Sequence, residues 1–160
     1  MKYCNIYLLT FLITGIYDLI LQLSINGYIP LLHNFLKNSD WYISLKKYFK
    51  IHTPLSAILL AGFIGFITQI IIFNIIYLEN INIDILESIH SNKFINIIKF
   101  LVISFIISGL IGIPIKMSGL FPILEDTYYK KLGDVRSFIT DGYSGLVVQI
   151  TLLIILYLIN

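Results

Sequence analysis

Charged residues are scarce in this sequence, since Asp, Glu, Lys and Arg make up only 12% of its 160 residues. Hydrophobic residues make up 58%, and the mean hydropathy is +0.88. This composition lies far outside the range of soluble globular proteins and indicates a membrane protein. Cysteine is also nearly absent: Cys4 stands alone, which excludes an intramolecular disulfide.

The residue patterns of common enzyme and ligand sites are missing as well. There is no Gly-rich phosphate loop, no Ser-His-Asp set and no Cys-His pair with usable spacing. The three histidines, at positions 33, 52 and 90, are too scattered to suggest a metal site. We therefore expect a protein that is not an enzyme and has no cofactor, no metal site and no nucleic-acid partner.

Long apolar stretches are what the sequence does contain, over about residues 4–23, 54–78, 95–115 and 142–159. A helix rises about 1.5 Å per residue, so each stretch can cross a hydrocarbon core of about 30 Å. A membrane β-barrel would need alternating apolar and polar residues, whereas these runs are continuous. The predicted fold is therefore all-α: a single membrane domain over residues 1–160, built as an integral membrane four-helix bundle.

The first stretch follows Lys2, as the apolar part of a secretory signal peptide would. No small-x-small cleavage site follows Asp18, however, and bulky residues come next. We therefore expect an uncleaved first helix.

Basic residues are unevenly divided between the two sides of the membrane. Loop one, about residues 24–53, and loop three, about residues 116–141, carry four each. The opposite side has Lys2 and Lys93, with Lys99 a turn inside the third helix. Because loops rich in Lys and Arg stay in the cytoplasm, we expect loops one and three there and both termini on the other side.

Part of the pattern occurs twice. AGFIGFITQIIIFNIIYL at residues 61–78 matches GYSGLVVQITLLIILYL at 142–158, with two glycines, a glutamine and a tyrosine in register. A weaker match, GYIPLL at 27–32 and GLFPIL at 119–124, precedes each copy. Residues 1–80 and 81–160 are therefore candidate internal repeats, parallel copies of one helix pair. Coincidence in a sequence this rich in Ile and Leu is the alternative.

Small and polar residues recur every four positions along each predicted span, which places them on one face. These stripes include Asp18, Gln22, Gly65, Gln69, Gly112, Lys116, Gly145 and Gln149. Small residues let helix backbones approach closely in lipid, and buried polar groups find partners across the contact. The stripes therefore predict packing positions that face the bundle. A role in ligand binding or conduction is the alternative for the glutamines.

Asp18 is an acidic residue inside a predicted span. A carboxylate at the centre of a membrane helix costs about 2.5–3.5 kcal/mol, which makes such a residue a functional candidate. Asp18 lies about a turn and a half from the end of its helix, and Lys116 of the third helix lies at a similar depth. We expect the two to form a structural ion pair, with proton handling by Asp18 as the alternative.

Loop one contains a short amphipathic segment. A helix that begins at Ser39 or Asp40 has aromatic residues on one face and lysines on the other. Aromatics and lysines at headgroup level are typical of an interfacial helix that favours anionic lipid. The candidate interfacial residues are Trp41, Lys46, Lys47 and Lys50. An ordinary solvated connection is the alternative.

Two phrases, HTPLSAILLAGFIGFITQ and SGLFPILEDTYYKKLGDVRSFITDGYSGLVVQ, resemble uncharacterised multi-span membrane proteins encoded by giant nucleocytoplasmic DNA viruses. The resemblance covers about residues 52–70 and 104–150, roughly 40% of the chain. Ten lysines against one arginine, with abundant Ile and Asn, are compatible with the AT-rich genome of such a virus, as with many cellular ones. The resemblance carries no activity. It implies a protein of host-derived or internal virion membranes.

Two classes of function remain. The first is a structural or scaffolding membrane protein, whose basic loops one and three meet a protein partner and whose stripes support assembly, including assembly with further copies. The second is a small transporter or ion or proton channel that uses Asp18, Gln69 and Gln149. A transporter would be expected to have interrupted helices near the midplane, and only Pro114, near a helix end, fits that expectation. The sequence favours the first class.

Overall fold

The computed structural model describes residues 2–39, 42–51, 53–78, 93–117 and 130–159. Its helices are α1 (Lys2–Ile25), α2 (Pro30–Lys37), α3 (Tyr42–Ile51), α4 (Pro54–Leu78), α5 (Phe94–Met117) and α6 (Lys130–Ile159). No strand occurs in these ranges, which confirms the prediction of an all-α fold.

The helices that are long and apolar enough to cross a membrane contain the spans Asn5–Ile25, Pro54–Leu78, Phe94–Pro114 and Phe138–Ile159. The predicted limits of α4 agree with the structure, because Pro54 suits the first turn of a helix, where its missing N–H needs no partner. The last helix begins at Lys130, well before the predicted residue 142. Its first turns carry charged residues, so a hydropathy criterion overlooks them although they continue the same helix.

The spans pack as a four-helix bundle made of two closely packed pairs. The first pair is α1 with α4, and the second pair is α5 with α6. Narrower contacts join α1 to α6 and α4 to α5. The order of neighbours around the bundle is therefore α1, α4, α5, α6, and the chain is an integral, multi-pass membrane bundle.

Apolar side chains from all four spans form the core where the two pairs meet. The most deeply buried are Ile6, Ile72, Phe100 and Leu152. Large apolar side chains also cover the outward faces of the spans, among them Leu12, Phe63, Ile106 and Val147. A surface of this kind lies against the acyl chains of a bilayer, where a helix satisfies backbone polar groups within its own segment.

A tight turn joins α1 to α2 at one end of the bundle. Gly27 has a φ of 85°, in the left-handed region that glycine enters without a steric penalty. The N–H of Tyr28 donates to the carbonyl of Leu23 at 2.9 Å, and the N–H of Gly27 donates to that of Ser24 at 3.0 Å. These two bonds form a Schellman cap, which ends α1. Pro30 then occupies the first turn of α2.

α2 and α3 cover the end of the bundle where α1 finishes and α4 begins, which we call the α2–α3 end. A second apolar cluster there consists of Ile25, Leu36, Phe49 and Ala57, one residue from each of α1, α2, α3 and α4. His33 of α2 adds a polar contact, since its Nδ1 lies 2.9 Å from the carbonyl oxygen of Ser24. α2 and α3 are therefore packed onto the spans rather than extending away from them.

Candidate functional site in the polar core

The glutamines predicted to lie inside the second and fourth spans meet in the centre of the bundle. Gln149 Nε2 donates a hydrogen bond to Gln69 Oε1 at 2.6 Å. Gln69 is 0% exposed and Gln149 is 2% exposed. Gln69 lies on α4 and Gln149 on α6, so the bond links the two helix pairs across the core. A hydrogen bond in this position faces little competition from water.

Hydroxyl groups of α1 extend the polar core. Thr10 Oγ1 donates to the carbonyl of Ile6 in its own helix at 2.9 Å, and it lies 3.4 Å from Gln69 Oε1, so its contact with Gln69 is the weaker branch of a shared hydrogen bond. The hydroxyl groups of Tyr17 and Thr151 lie 2.6 Å apart. Thr151 Oγ1 donates to the carbonyl of Val147 at 3.0 Å, so the phenol of Tyr17 is the donor to Thr151. α1 is thus hydrogen-bonded to helices of both pairs.

Some polar atoms of the core are buried without a hydrogen-bond partner among the described residues. They are Asp18 Oδ2, Gln69 Nε2, Ser108 Oγ and Gln149 Oε1. Two of them, the amide nitrogen of Gln69 and the amide oxygen of Gln149, are a complementary donor and acceptor beside the bond that the glutamines already share. An unpaired buried polar group costs about 1–3 kcal/mol. The polar core therefore has unused hydrogen-bonding capacity.

Glycines on α4 and α6 bring the helices of each pair into close contact. A Cβ added at Gly65 would lie 2.8 Å from the Cβ of Thr14 on α1. A Cβ added at Gly145 would collide with the side chain of Ser108 on α5. Thr14 and Ser108 therefore occupy corresponding places in the two pairs, as do Gly65 and Gly145.

The same correspondence continues one turn toward the start of each second helix. A Cβ added at Gly62 would lie 2.9 Å from the ring of Phe11, and one added at Gly142 would lie 2.8 Å from the ring of Phe105. Each contact lies between the two helices of one pair: α4 and α1 in the first pair, and α6 and α5 in the second. The two pairs therefore share one register of contacts.

The pairs differ in the helix that contributes a carboxylate. A Cβ added at Gly112 of α5 would lie 2.7 Å from Cγ of Asp141 on α6. In the shared register, Asp18 of α1 takes the place of Gly112, and Ala61 of α4 takes the place of Asp141. Each pair thus carries one carboxylate at this level, from its first helix in one case and from its second helix in the other.

The predicted ion pair between Asp18 and Lys116 stays a prediction, because the side chain of Lys116 lies outside the described residues. The backbone places the two residues on α1 and α5, which are not neighbours in the order of helices around the bundle. Gln22, one turn from Asp18 on the same stripe, is almost completely buried. The stripe of α1 therefore points into the bundle on both sides of Asp18.

The predicted interfacial segment forms α3, and Lys46 and Lys50 are exposed on it. Phe49 is buried in the apolar cluster of the α2–α3 end, packed against the spans instead of facing lipid. Trp41 and the side chain of Lys47 lie outside the described residues. The part of α3 that is described thus packs Phe49 within the protein and leaves its lysines outside, together with Ile43, which is 66% exposed.

Sequence reasoning missed the similarity between the first helices of the two pairs. TFLITG at residues 10–15 and SFIISG at 104–109 contain the side chains that meet the glycines of the second helices. These segments are 94 positions apart, whereas Gln69 and Gln149 are 80 apart. A search at one fixed offset therefore finds the second helices and overlooks the first.

No group of three or more His, Cys, Asp or Glu residues that could hold a metal ion occurs in the described part of the chain. Comparison with models of known protein families, with curated proteins and with solved structures finds no match to this chain. The class that the fold and its core define is a small multi-pass membrane bundle whose buried polar residues join its helices. Its function has to be inferred from that geometry.

The close glycine contacts predict a graded loss of stability. We expect Gly65→Ala and Gly145→Ala to lower the free energy of unfolding by about 1–3 kcal/mol each, because the added methyl group meets side chains close to the neighbouring backbone. Gly62→Ala and Gly142→Ala should cost less, since an aromatic ring can shift away. The measurement is reversible unfolding in detergent micelles. Val147→Ile, which enlarges an exposed side chain of α6, is the control and should be neutral. Equal losses at all four glycines would contradict this assignment.

The hydrogen bond between the glutamines predicts that replacing both of them lowers the free energy of unfolding by less than the sum of the two single replacements. Gln69→Leu leaves the amide of Gln149 buried without its acceptor and should lower the free energy of unfolding by about 1–2 kcal/mol. Gln149→Leu should cost a similar amount, because Gln69 then keeps only the weak 3.4 Å contact with Thr10, whose hydroxyl donates to the carbonyl of Ile6. The double variant removes both amides and should recover part of the loss.

The matched control for the glutamines is Asn74→Leu. Asn74 is also an amide in α4, but it is exposed and donates to the carbonyl of Ile70 in its own helix. Its replacement should leave unfolding in detergent unchanged. Strictly additive losses in the double glutamine variant would mean that the two amides act independently.

Proposed function

We propose that the protein is a structural, scaffolding component of a membrane. The observation that carries this proposal is the hydrogen bond between Gln149 and Gln69, which uses the central polar side chains of the spans to fix one helix pair to the other. At Gly65 and Gly145, side chains of the other helix in the pair likewise pack directly against the glycine. Polar and small residues used in this way favour a bundle with one fixed arrangement.

The scaffold would meet its partner at a basic surface formed by Lys46 and Lys50 of α3. Both lysines are exposed, while the opposite face of α3 is packed against the spans. The excess of basic residues in loops one and three favours a cytoplasmic side for this surface, with both termini on the other side. An acidic protein partner suits such a surface, and further copies of the chain can assemble beside it through the exposed apolar faces of the spans.

The two helix pairs are proposed to be parallel repeats, residues 1–80 and 81–160. Support comes from the shared register of contacts, in which Gly65 with Thr14 corresponds to Gly145 with Ser108. Support also comes from TFLITG and SFIISG in the first helices. The resemblance to proteins of giant DNA viruses leads us to propose a host-derived or internal virion membrane as the place of this scaffold.

A transporter or channel is the second candidate, and one observation favours it. Buried polar atoms without described partners, on Asp18, Gln69, Ser108 and Gln149, lie on the inward faces of the spans. Such groups could transfer a proton or an ion if the bundle opened. The scaffolding role has more support, because Gln69 and Gln149 already bind each other.

The scaffolding role predicts restrained movement in the membrane. In its native membrane, a fluorescent fusion of the protein should diffuse several-fold more slowly than the variant Lys46→Glu/Lys50→Glu, since the basic surface would tether it to a partner. Fluorescence recovery after photobleaching measures the difference. Lys93→Glu, a single charge reversal outside α3, is the control for Lys46→Glu and Lys50→Glu taken singly and should diffuse like the unaltered protein. Equal diffusion of all three would contradict the tether.

The scaffolding role also predicts an impermeable bundle. Purified protein in liposomes should leave proton and potassium flux at the level of protein-free liposomes. The transporter alternative predicts a flux that Asp18→Asn abolishes while the variant still unfolds cooperatively in detergent. Asn74→Leu is the control, because its exposed amide should not matter for either outcome. A clear flux sensitive to Asp18 would replace the scaffolding proposal by the second candidate.

A further inference from the structure

α2 is a short helix held at the point where the first span leaves the membrane. It begins at Pro30, shortly after Ile25, the last residue of that span. Leu36 of α2 packs in one cluster with Ile25. His33 Nδ1 lies 2.9 Å from the carbonyl oxygen of Ser24, in the last turn of α1. α2 therefore lies beside the end of the span, at the depth of the membrane interface.

The side of α2 that faces the protein accounts for only part of its circumference. Successive residues of a helix are rotated by about 100°, so Leu36 and His33 define one sector. Leu31 and Phe35 lie one turn apart on a second sector, and they are 83% and 74% exposed. This second sector is apolar and makes little contact with the rest of the described chain.

The remaining sector of α2 is polar. Asn34 and Lys37 lie there, on the other side of the apolar sector from Leu36, and both are exposed. α2 thus has separate protein-facing, apolar and polar sides. A helix with these three sides at a membrane interface can rest against its protein, dip one side into lipid and keep the other in water.

Apolar exposure at this end of the bundle extends beyond α2. Tyr28, in the turn before α2, is 75% exposed, and Leu55, in the first turn of α4, is 65% exposed. Leu55 begins the outward, lipid-facing surface of α4. The apolar sector of α2 therefore lies at the end of the bundle where the lipid-facing surface of α4 begins.

We propose that α2 is an interfacial helix whose apolar sector, Leu31 and Phe35, inserts into the leaflet that surrounds the α2–α3 end. The occupant of this sector is the acyl-chain boundary of the bilayer that the spans cross. Asn34 and Lys37 then lie at headgroup level, where the ammonium group of Lys37 can reach lipid phosphates. The inference does not depend on the scaffolding role, since it requires only that the spans cross a membrane.

This assignment differs from the expectation for loop one, which placed the lipid contact on the aromatic face of α3. Phe49 of α3 is buried in the protein, while Lys46, Lys50 and one apolar residue, Ile43, are exposed on α3. α2, with two large exposed apolar residues on one sector, therefore offers the larger apolar contact with lipid, and α3 presents its lysines to another partner.

The test measures the surroundings of single positions on α2. Leu31→Cys, Phe35→Cys, Asn34→Cys and Lys37→Cys are prepared in a Cys4→Ser background, labelled with a nitroxide and placed in phosphatidylcholine vesicles. Paramagnetic resonance then compares collisions with oxygen, which concentrates in lipid, and with a nickel chelate, which stays in water. All four positions are exposed, so the labels should not disturb packing.

We expect oxygen collisions to exceed nickel collisions at positions 31 and 35, and the opposite order at positions 34 and 37. A nickel-dominated signal at all four positions would place α2 in water and overturn the proposal. Low collision rates with both reagents at positions 31 and 35 would also overturn it, because a second copy of the chain would then cover the apolar sector. Leu12→Cys, on the outward face of α1, provides the reference value for lipid.

Discussion

The arrangement of this bundle depends on one constraint: a polar side chain inside a bilayer has to find its partner within the protein. Gln69 and Gln149 meet that constraint in part with each other, through one hydrogen bond between helices that belong to different pairs. Apolar packing alone would let the two pairs slide or rotate, because acyl chains compete on equal terms with Leu and Ile. The glutamine bond has one geometry and so specifies the register between the pairs. Tyr17 and Thr151 add a second polar contact between them.

Within each pair a different kind of attraction operates. Gly65 against Thr14 and Gly145 against Ser108 let two backbones approach more closely than larger residues would permit. Van der Waals contact over this short distance is the main attraction between helices in lipid. Close packing thus holds each pair together, and directional hydrogen bonds orient the pairs relative to each other.

The sequence is sufficient to predict the spans and the faces that they turn inward. Continuous apolar runs identify the four helices, and a spacing of four places Gln69 on the inner stripe of α4. The four-residue spacing of small and polar side chains shows which face of a helix is buried, but it does not show which other helix packs against that face. The meeting of Gln69 with Gln149, across an offset of 80 residues, therefore required the structure. Lys116 is predicted as the partner of Asp18 only from its depth in the sequence-predicted spans. The structure describes the backbone of Lys116 but not its side chain, so the pairing stays a prediction.

Elements outside the spans were harder to predict. The first turns of α6 are helical although they are charged, because helix formation there needs no apolar residues. α2 has only eight residues and follows a glycine turn, so its sequence resembles a loop. Its position depends on Leu36 and His33, which contact the end of α1. Those contacts are tertiary, and local propensity does not contain them.

The separation of tight contacts within pairs from polar contacts between them has a consequence for biosynthesis. α1 and α4 come before both helices of the second pair in the chain, so they enter the bilayer before α6 does. Before α6 arrives, Gln69 has no glutamine to bind, and its amide oxygen has only the long contact with the hydroxyl of Thr10, which also donates to the carbonyl of Ile6. The first pair can thus reside in lipid before α6 arrives, with the amide oxygen of Gln69 partly hydrogen-bonded. Synthesis of α6 then delivers Gln149, and the stronger bond completes the bundle.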